Sequence, residues 1–308
     1  VFGYLIAPDN SKNANQMHVE IHSKKPGFTV EMLTIPLKEE RSQSFFNKLF
    51  IGSTQINTEI PIQSYSILKE ELEYIGYGDG LPKTISLAVL NNTPKKYITK
   101  KTFYFGTDKY GRDLLSRLLI GTRISFFIGF IAVFISLFIG IGIGAIAGYY
   151  GGKIDALIMW IINITWSIPT LLLVIAITLA LGKGYWQVFI AVGLTMWVEV
   201  ARVVRGQVLT TKQQQYVEAA KALGYSNFRI IFRHILPNIL APIIVISAAN
   251  FAAAILIESG LSFLGIGAQP PTPSWGAIIK NHYNYIILGK PYLAVIPGLA
   301  IMSLVMAF

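Results

Sequence analysis

Apolar residues in this chain come in long runs separated by short polar turns. After a polar first third, four runs reach the length of about 20 apolar residues that a bilayer requires: residues 123–149, 154–181, 185–204 and 239–260. A fifth starts near Tyr292 and continues to Phe308, and VFGYLIAP at residues 1–8 reads as the outer end of a first. The pattern predicts an all-α polytopic membrane protein of six helices, the first and last truncated. Between residues 9 and 105 the period changes. Met17, Val19 and Ile21 alternate with His18, Glu20 and His22, and TISLAVL and YITKKTFYF are strand-like, so a small β-rich insertion is expected ahead of a membrane domain at 106–308.

One polar island interrupts the second half. YVEAAKALGYSNFRIIFRHILPN, Tyr216 to Asn238, reads as two helices around a turn. Thr211 and Gln214 have capping-box spacing, which predicts a helix from Lys212 to Leu223 closed by Gly224. Ser226 then caps a second helix. There Phe228, Ile231, Phe232, Ile235 and Leu236 form the apolar face, Asn227, Arg229, Arg233 and His234 the polar one, and Pro237 the stop. Taken alone, a basic amphipathic hairpin fits a membrane surface as well as a partner protein.

Composition agrees with the runs. Of 308 residues, 53% are hydrophobic and 14% charged, against about 25% charged in soluble domains, so the lipid bilayer is the first expected partner. The formal charge of +10 is not a nucleic-acid signal, because Lys and Arg are spread through the polar third and the turns between runs. Arg202, Arg205, Lys212, Lys221, Arg229 and Arg233 place the island in the cytoplasm, with the polar third and the segment before Tyr292 outside. Lys153 agrees; Lys109, Arg112, Arg117 and Arg123 conflict, offset in part by Asp108 and Asp113. Cysteine is absent, which excludes disulfides and thiolate chemistry. No GxxxxGKS or GxxxxGKT, HExxH or GxSxG occurs, so no P-loop and no catalytic residue is assigned.

An ionisable or amide side chain inside a span faces protein or water. Glu258, Asn250, Asn163 and Ser167 are therefore candidates for a translocation pathway. Helix–helix hydrogen bonds, a kink at Pro169 and, for Glu258, a place near the outer interface explain them equally. Glu199 and Arg202 read as an interfacial anchor. His18 and His22 have a spacing that suits a metal on a helix, but alternation makes the segment a strand and no metal site is assigned. GIGIGAIAG (140–148) signals close helix packing. Pro270, Pro271 and Pro273 exclude a helix interior and make an ordered outer loop, where Trp275 is either an interface anchor or part of a partner-facing surface.

EAAKALG followed by IFRHILPN resembles the EAA loop of bacterial ABC importer permeases. FGTDKYGRDLLSRLLIGTRIS, AGYYGGKID and LSFLGIGAQPPTPSWG narrow the resemblance to the C-type subunit of the dipeptide/oligopeptide/nickel family, over Phe105 to Phe308. The region before Phe105 is longer than the family's usual connection, and the usual C-terminal tail is missing. The resemblance implies a type I permease fold in a bacterial plasma (inner) membrane. It implies two ATPase subunits that bind ATP and Mg, a homologous second permease subunit and an extracytoplasmic substrate-binding protein, with no cofactor held by this chain. Within a cytoplasmic loop at 205–237 it makes Glu218, Ala219, Ala220, Leu223, Gly224, Arg229, Arg233 and Pro237 the ATPase contact. It sets Pro270, Pro271, Pro273 and Trp275 toward the binding protein or the outer gate. Cargo stays open among dipeptides, oligopeptides and nickel complexes. The rival is an ATP-independent secondary transporter, which predicts internal repeats and mid-membrane charges.

Overall fold

The computed structural model describes residues 3–36, 43–54, 57–68, 71–90, 93–182 and 184–308, so Val1 and Phe2 of the expected helix end lie outside the described residues. In chain order the α-helices are α1 Gly3–Ile6, α2 Phe45–Ile51, α3 Leu114–Tyr150, α4 Gly152–Ser167, α5 Thr170–Leu181, α6 Tyr185–Thr211, α7 Gln215–Ala222, α8 Asn227–Arg229, α9 Leu240–Leu264, α10 Trp275–His282 and α11 Tyr292–Met306. The strands are β1 Phe28–Ile35, β2 Thr58–Leu68, β3 Glu71–Gly76, β4 Pro82–Ser86 and β5 Ile98–Phe103. The chain divides into two compact units, Val1–Ile124 with Pro270–Leu299, and Ser125–Gln269 with Ala300–Phe308.

The first unit holds an antiparallel sheet in the order β4-β3-β2-β1-β5. Successive side chains of β1 point to opposite faces. Leu33 packs with Ile62, Leu72 and Leu90 on one face, while Val30 and Met32 pack with Ile21 and Phe103 on the other. YITKKTFYF supplies β5, and TISLAVL is strand only to Ser86 before a 3-10 turn, Leu87–Leu90, that buries Leu90. The alternating segment around His18 is not a strand. Val19–Ile21 is a 3-10 turn closed by Ile21 N–H to His18 O (3.0 Å) and His22 N–H to Val19 O (3.2 Å). Only Ile21 is driven into the core; Met17 and Val19 stay exposed, so the alternation never made a buried face. His18 is buried and His22 exposed, and among the described residues no group of three or more His, Asp or Glu side chains could hold a metal ion.

In the first unit a buried polar cluster takes up two of the four basic residues at 109–123, Arg112 and Arg117. Asp108 accepts from Arg112 Nε (2.7 Å) and from the backbone N–H groups of Tyr110 (2.8 Å) and Arg112 (3.0 Å), and it stands 3.7 Å from Arg117 Nε. Asp113 accepts from the backbone N–H (2.8 Å) and the hydroxyl of Ser116, and Ser116 Oγ accepts from Asp9 N–H (2.8 Å). Arg112 also donates to Asn15 Oδ1 (2.9 Å). Arg112 and Arg117 are thus paired interior charges, not free loop charges of the type that sets topology. Burial holds the Asp113 carboxyl above the usual carboxylate range. It also pushes the His18 and His282 imidazoles down. His282 accepts Lys109 N–H at Nε2 (3.3 Å), with Nδ1 2.7 Å from Ile278 O, a pattern that suits a neutral ring donating from Nδ1.

The second unit is helical. Among the described residues three helical runs are long and apolar enough to cross a membrane, Leu114–Tyr150, Tyr185–Thr211 and Asn227–Leu264. The run expected to be a single span at 154–181 is instead α4 and α5, bent by 89°. Ile168 precedes Pro169, whose ring disfavours the helical region for its neighbour, and Ile168 is accordingly extended (φ −88°, ψ 126°). Gly140, Gly144 and Gly148 lie one turn apart on α3 and meet α6. A Cβ on Gly140 would fall 2.6 Å from Val200 Cβ, on Gly144 2.5 Å from Ala201 O, and on Gly148 2.8 Å from Arg205 O. The seam is therefore packed backbone to backbone, the close approach that small residues permit between membrane helices.

Candidate functional site

The polar island folds on the C-terminal end of this seam. α6 continues to Thr211, which is buried, and Gln214 is the extended residue that opens α7, with no side-chain cap bond. The expected capping box is absent because Thr211, being the last residue of α6, cannot also be the extended N-cap of the next helix. At the other end Gly224 takes φ +75°. Tyr225 N–H reaches Ala220 O (3.2 Å) and Gly224 N–H reaches Lys221 O (2.9 Å), the paired bonds of a Schellman motif. Ser226 caps α8, its hydroxyl accepting from Arg229 N–H (3.4 Å).

Pro237 does not end the second helix. A π turn at Ile230–Ile235 is followed by a 3-10 turn, Leu236–Ile239, and then by α9, giving one helical run from Asn227 to Leu264. The wide i→i+5 turn and the tight turn after it make room for a ring that cannot donate to the ladder. The same widening rotates the buried stripe. Ile230, Ile231 and Ile235 are inside, whereas Phe228 and Phe232, expected inside, are 70% and 55% exposed with their rings 4.3 Å apart.

The island packs against both helices of the seam. Val217, Ala220, Ile230, Ile231 and Ile235 share a core with Ala145 of α3 and Val200, Val204 and Val208 of α6. Lys212 Nζ donates to Gly148 O (2.8 Å), capping the end of α3, and the Tyr149 hydroxyl donates to Asn227 Oδ1 (2.8 Å). Arg205 donates through Nε and a terminal nitrogen to the two oxygens of Asp155, at 2.5 and 2.6 Å. Of the residues singled out in sequence, Ala220 is buried, while Glu218, Ala219, Leu223, Gly224, Arg229, Arg233 and Pro237 are exposed. Leu223 is a third large apolar side chain left exposed on this element, at 71%. Asp155, Arg205, Lys212 and Tyr149 were missed as a group; a lone acid opening one helix and an arginine late in another was the available signal.

The pathway candidates differ in burial. Glu258 is buried, accepts from Ser262 Oγ (2.6 Å), and Ser262 Oγ in turn accepts from Ala268 N–H (3.1 Å). Asn250 is buried, and among the described residues its Nδ2 has no hydrogen-bond partner. Asn163 and Ser167 are exposed at the α4–α5 bend. Arg202 NH2 donates to Asn163 Oδ1 (3.0 Å) and its guanidinium lies 3.7 Å from the Trp166 ring centre, so Arg202 turns to α4 and not to Glu199. In the loop expected outside, Pro270 and Pro271 are exposed, but Pro273 and Trp275 are buried in the first unit. Trp275 Nε1 donates to Leu118 O (3.0 Å) and its ring packs against Gly121, which corrects its reading as an interface anchor.

Comparison with known proteins follows this geometry. Residues 140–308 match the family described as binding-protein-dependent transport system inner membrane component. The dipeptide transport system permease protein DppC of Alkalihalophilus pseudofirmus is 43% identical over 205 residues, 67% of this chain and 67% of that protein. The glutathione transport system permease protein GsiD of Pectobacterium atrosepticum is 40% identical over 205 residues, covering 67% and 68%. The oligopeptide transport system permease protein OppC of Bacillus subtilis is 43% identical over 181 residues, 59% of each chain. A solved structure of the MetNI methionine ABC transporter in inward-facing conformations aligns with a TM-score of 0.47 at 18% identity, over 62% of this chain and 95% of that one.

Proposed function

This chain belongs to the family of binding-protein-dependent transport system inner membrane components, and on that premise we propose that it is the C-type permease subunit of an ATP-driven peptide importer, coupled through residues 205–237. The observation that carries the coupling is that Leu223, Phe228 and Phe232 stand exposed on an otherwise polar element whose core packs against two helices. Exposed apolar side chains on an element that also exposes Glu218, Arg229 and Arg233 are suited to a protein groove. Two ATPase subunits, binding ATP and Mg, supply that groove. When they close, the load passes through the Val217–Ile235 core to α6 and, through Lys212 and Asn227, to the end of α3. A rigid-body tilt of packed helices is the physical form of such a switch.

In this reading a homologous second permease subunit completes the pore, and the β-rich region and the 270–275 loop face an extracytoplasmic binding protein. With residues 1–8 as the end of a first helix, the chain contributes six membrane helices in this reading, α4 and α5 counted as one broken span. Cargo is a peptide or related small solute. Discontinuous helices are also a feature of secondary transporters, so the broken span favours ATP-independent transport as the second reading. Leu223→Asp with Phe228→Asp separates them. We expect ATPase copurification and ATP-driven uptake to be lost while thermal stability changes little, because both side chains are surface-exposed. Uptake that persists in that variant, or that needs no ATP, refutes the coupling.

A further inference from the structure

The α4–α5 break opens a cavity of about 160 Å³ within the second unit, walled by Thr165, Trp166, Thr195, Met196, Ala253 and Ile257 and bordered by Glu199. A pocket of roughly 150 Å³ holds one benzene, so this one fits a single ring-sized or leucine-sized side chain and is too small for a whole drug-sized ligand, whose sites run from about 300 Å³. Glu199 is exposed beside it, 14 residues after Tyr185 opens α6. At about 1.5 Å per residue that is some 21 Å along the helix, within a hydrocarbon core about 30 Å thick. An exposed carboxylate at that depth faces water or a polar solute in preference to lipid. Arg202, one turn further on, is fixed against Trp166 and Asn163, with its Nε lacking an acceptor among the described residues. Opposite charges at i and i+3 stand about 5–6 Å apart at their Cβ atoms. That is the scale of the two termini of a short peptide, whose consecutive Cα atoms are about 3.8 Å apart.

We propose that this pocket is a cargo subsite: it takes the apolar side chain of the first residue of a short zwitterionic peptide, with the α-ammonium at Glu199 and the carboxylate toward Arg202. The assignment rests on the peptide-importer reading and extends it, since selection would then occur in the membrane as well as in the binding protein. A lipid acyl chain is the competing occupant. It would fill the same apolar walls but would leave Glu199 without a counter-charge.

The test uses the intact complex with its ATPase and second permease subunits in nanodiscs. Leucylglycine, glycylglycine and N-acetyl-leucylglycine are titrated while Trp166 fluorescence is read as the difference from a Trp166→Phe complex. Leucylglycine should saturate, and the other two should bind at least ten-fold more weakly. Glu199→Gln should erase the preference for the free ammonium, and Ala253→Phe the preference for leucine over glycine. No saturable change with leucylglycine, equal binding of the acetylated peptide, or a signal that follows the acyl-chain length of the nanodisc lipid overturns the proposal. Should Ala253→Phe fail to assemble, Glu199→Gln decides alone. The two levels fail differently. If the importer reading is wrong, the wild type shows no ATP-driven uptake of any peptide. If only the subsite is wrong, uptake persists and neither variant changes the leucine-to-glycine or free-to-acetylated ratio.

Discussion

Adding one methyl group at Gly144 should loosen the α3–α6 seam, whereas the same change two residues earlier should not. The new Cβ at Gly144 would stand 2.5 Å from Ala201 O, 3.0 Å from Ala201 Cα and 3.0 Å from Val204 Cβ. Carbon contacts are most favourable at about 3.5–4.0 Å, so the helices must separate by about 0.5–1 Å, and the atoms in the way belong to backbone that has no other rotamer. A gap of that size forfeits a quarter to a half of each contact's well. Gly140 and Gly148 lie on the same seam and lose contact with it. Overpacking of this kind costs about 1–3 kcal/mol, and we expect the upper end. At about 2–4 °C per kcal/mol for a chain of this size, Gly144→Ala should melt about 6–12 °C below the wild type. Gly142 has nothing within 4 Å of its Cβ position, so Gly142→Ala should be neutral or stabilising by up to about 1 kcal/mol through helix propensity. Thermal melting of the solubilised complex, followed by fluorescence-detected gel filtration, measures both. ATP-driven uptake should fall only in Gly144→Ala, because Val204 and Val208 of the seam also seat the coupling element. Equal melting shifts for the two variants would refute the reasoning.

Further outcomes follow from the same geometry. Arg205→Lys cannot reproduce two parallel bonds to Asp155 and should lower uptake, with a double-mutant cycle against Asp155→Asn giving a coupling of about 1 kcal/mol for this partly exposed pair; a coupling near zero would count against a structural role. Gly111 adopts φ +74° and its Cβ would overlap the His18 carbonyl, so Gly111→Ala should unfold the first unit locally, read as a new protease-sensitive site near residues 9–18 that Lys109→Ala does not create. Burial lowers the His18 and His282 pKa values, so their contribution is fully present above the unfolded value of about 6.5 and declines as pH falls through it. Asp108, Lys109 and Arg112 face His282, and the raised Asp113 works in the opposite sense, since protonation relieves its burial. Hydrogen exchange at residues 9–18, 107–117 and 274–282 should therefore quicken at pH 5.5 relative to pH 7.5 after correction for intrinsic rates; slower or unchanged exchange would mean that the acid term outweighs the two imidazoles.

Much of the helical unit was legible from short-range pattern. The runs at 123–149, 185–204 and 239–260 lie inside Leu114–Tyr150, Tyr185–Thr211 and Asn227–Leu264. Gly224 and Ser226 close and open their helices as their chemistry requires, because a left-handed residue and a capping hydroxyl act within three or four positions. The stripe on the second helix of the island was misread for an equally local reason. A period of 3.6 was assumed where a π turn intervenes, and Phe228 and Phe232 moved from the core to the surface. That displacement leaves the two rings exposed as a pair, 4.3 Å apart, on the element proposed for coupling.

Hydropathy and the special backbones of glycine and proline are properties of neighbouring residues, so the spans, the polar island and the packing seam could be read before any fold was known. Asp155 and Arg205 are 50 positions apart, Trp275 and Leu118 are 157, and Asp9 and Ser116 are 107. Nothing in the intervening sequence signals those partners. Which arginines are paired inside and which are free at the surface, whether a proline ends a helix or bends it, and which aromatic rings are left uncovered depend on what the folded chain places opposite them. The burial of a charge or a ring is settled by distant atoms, and only the assembled packing supplies those.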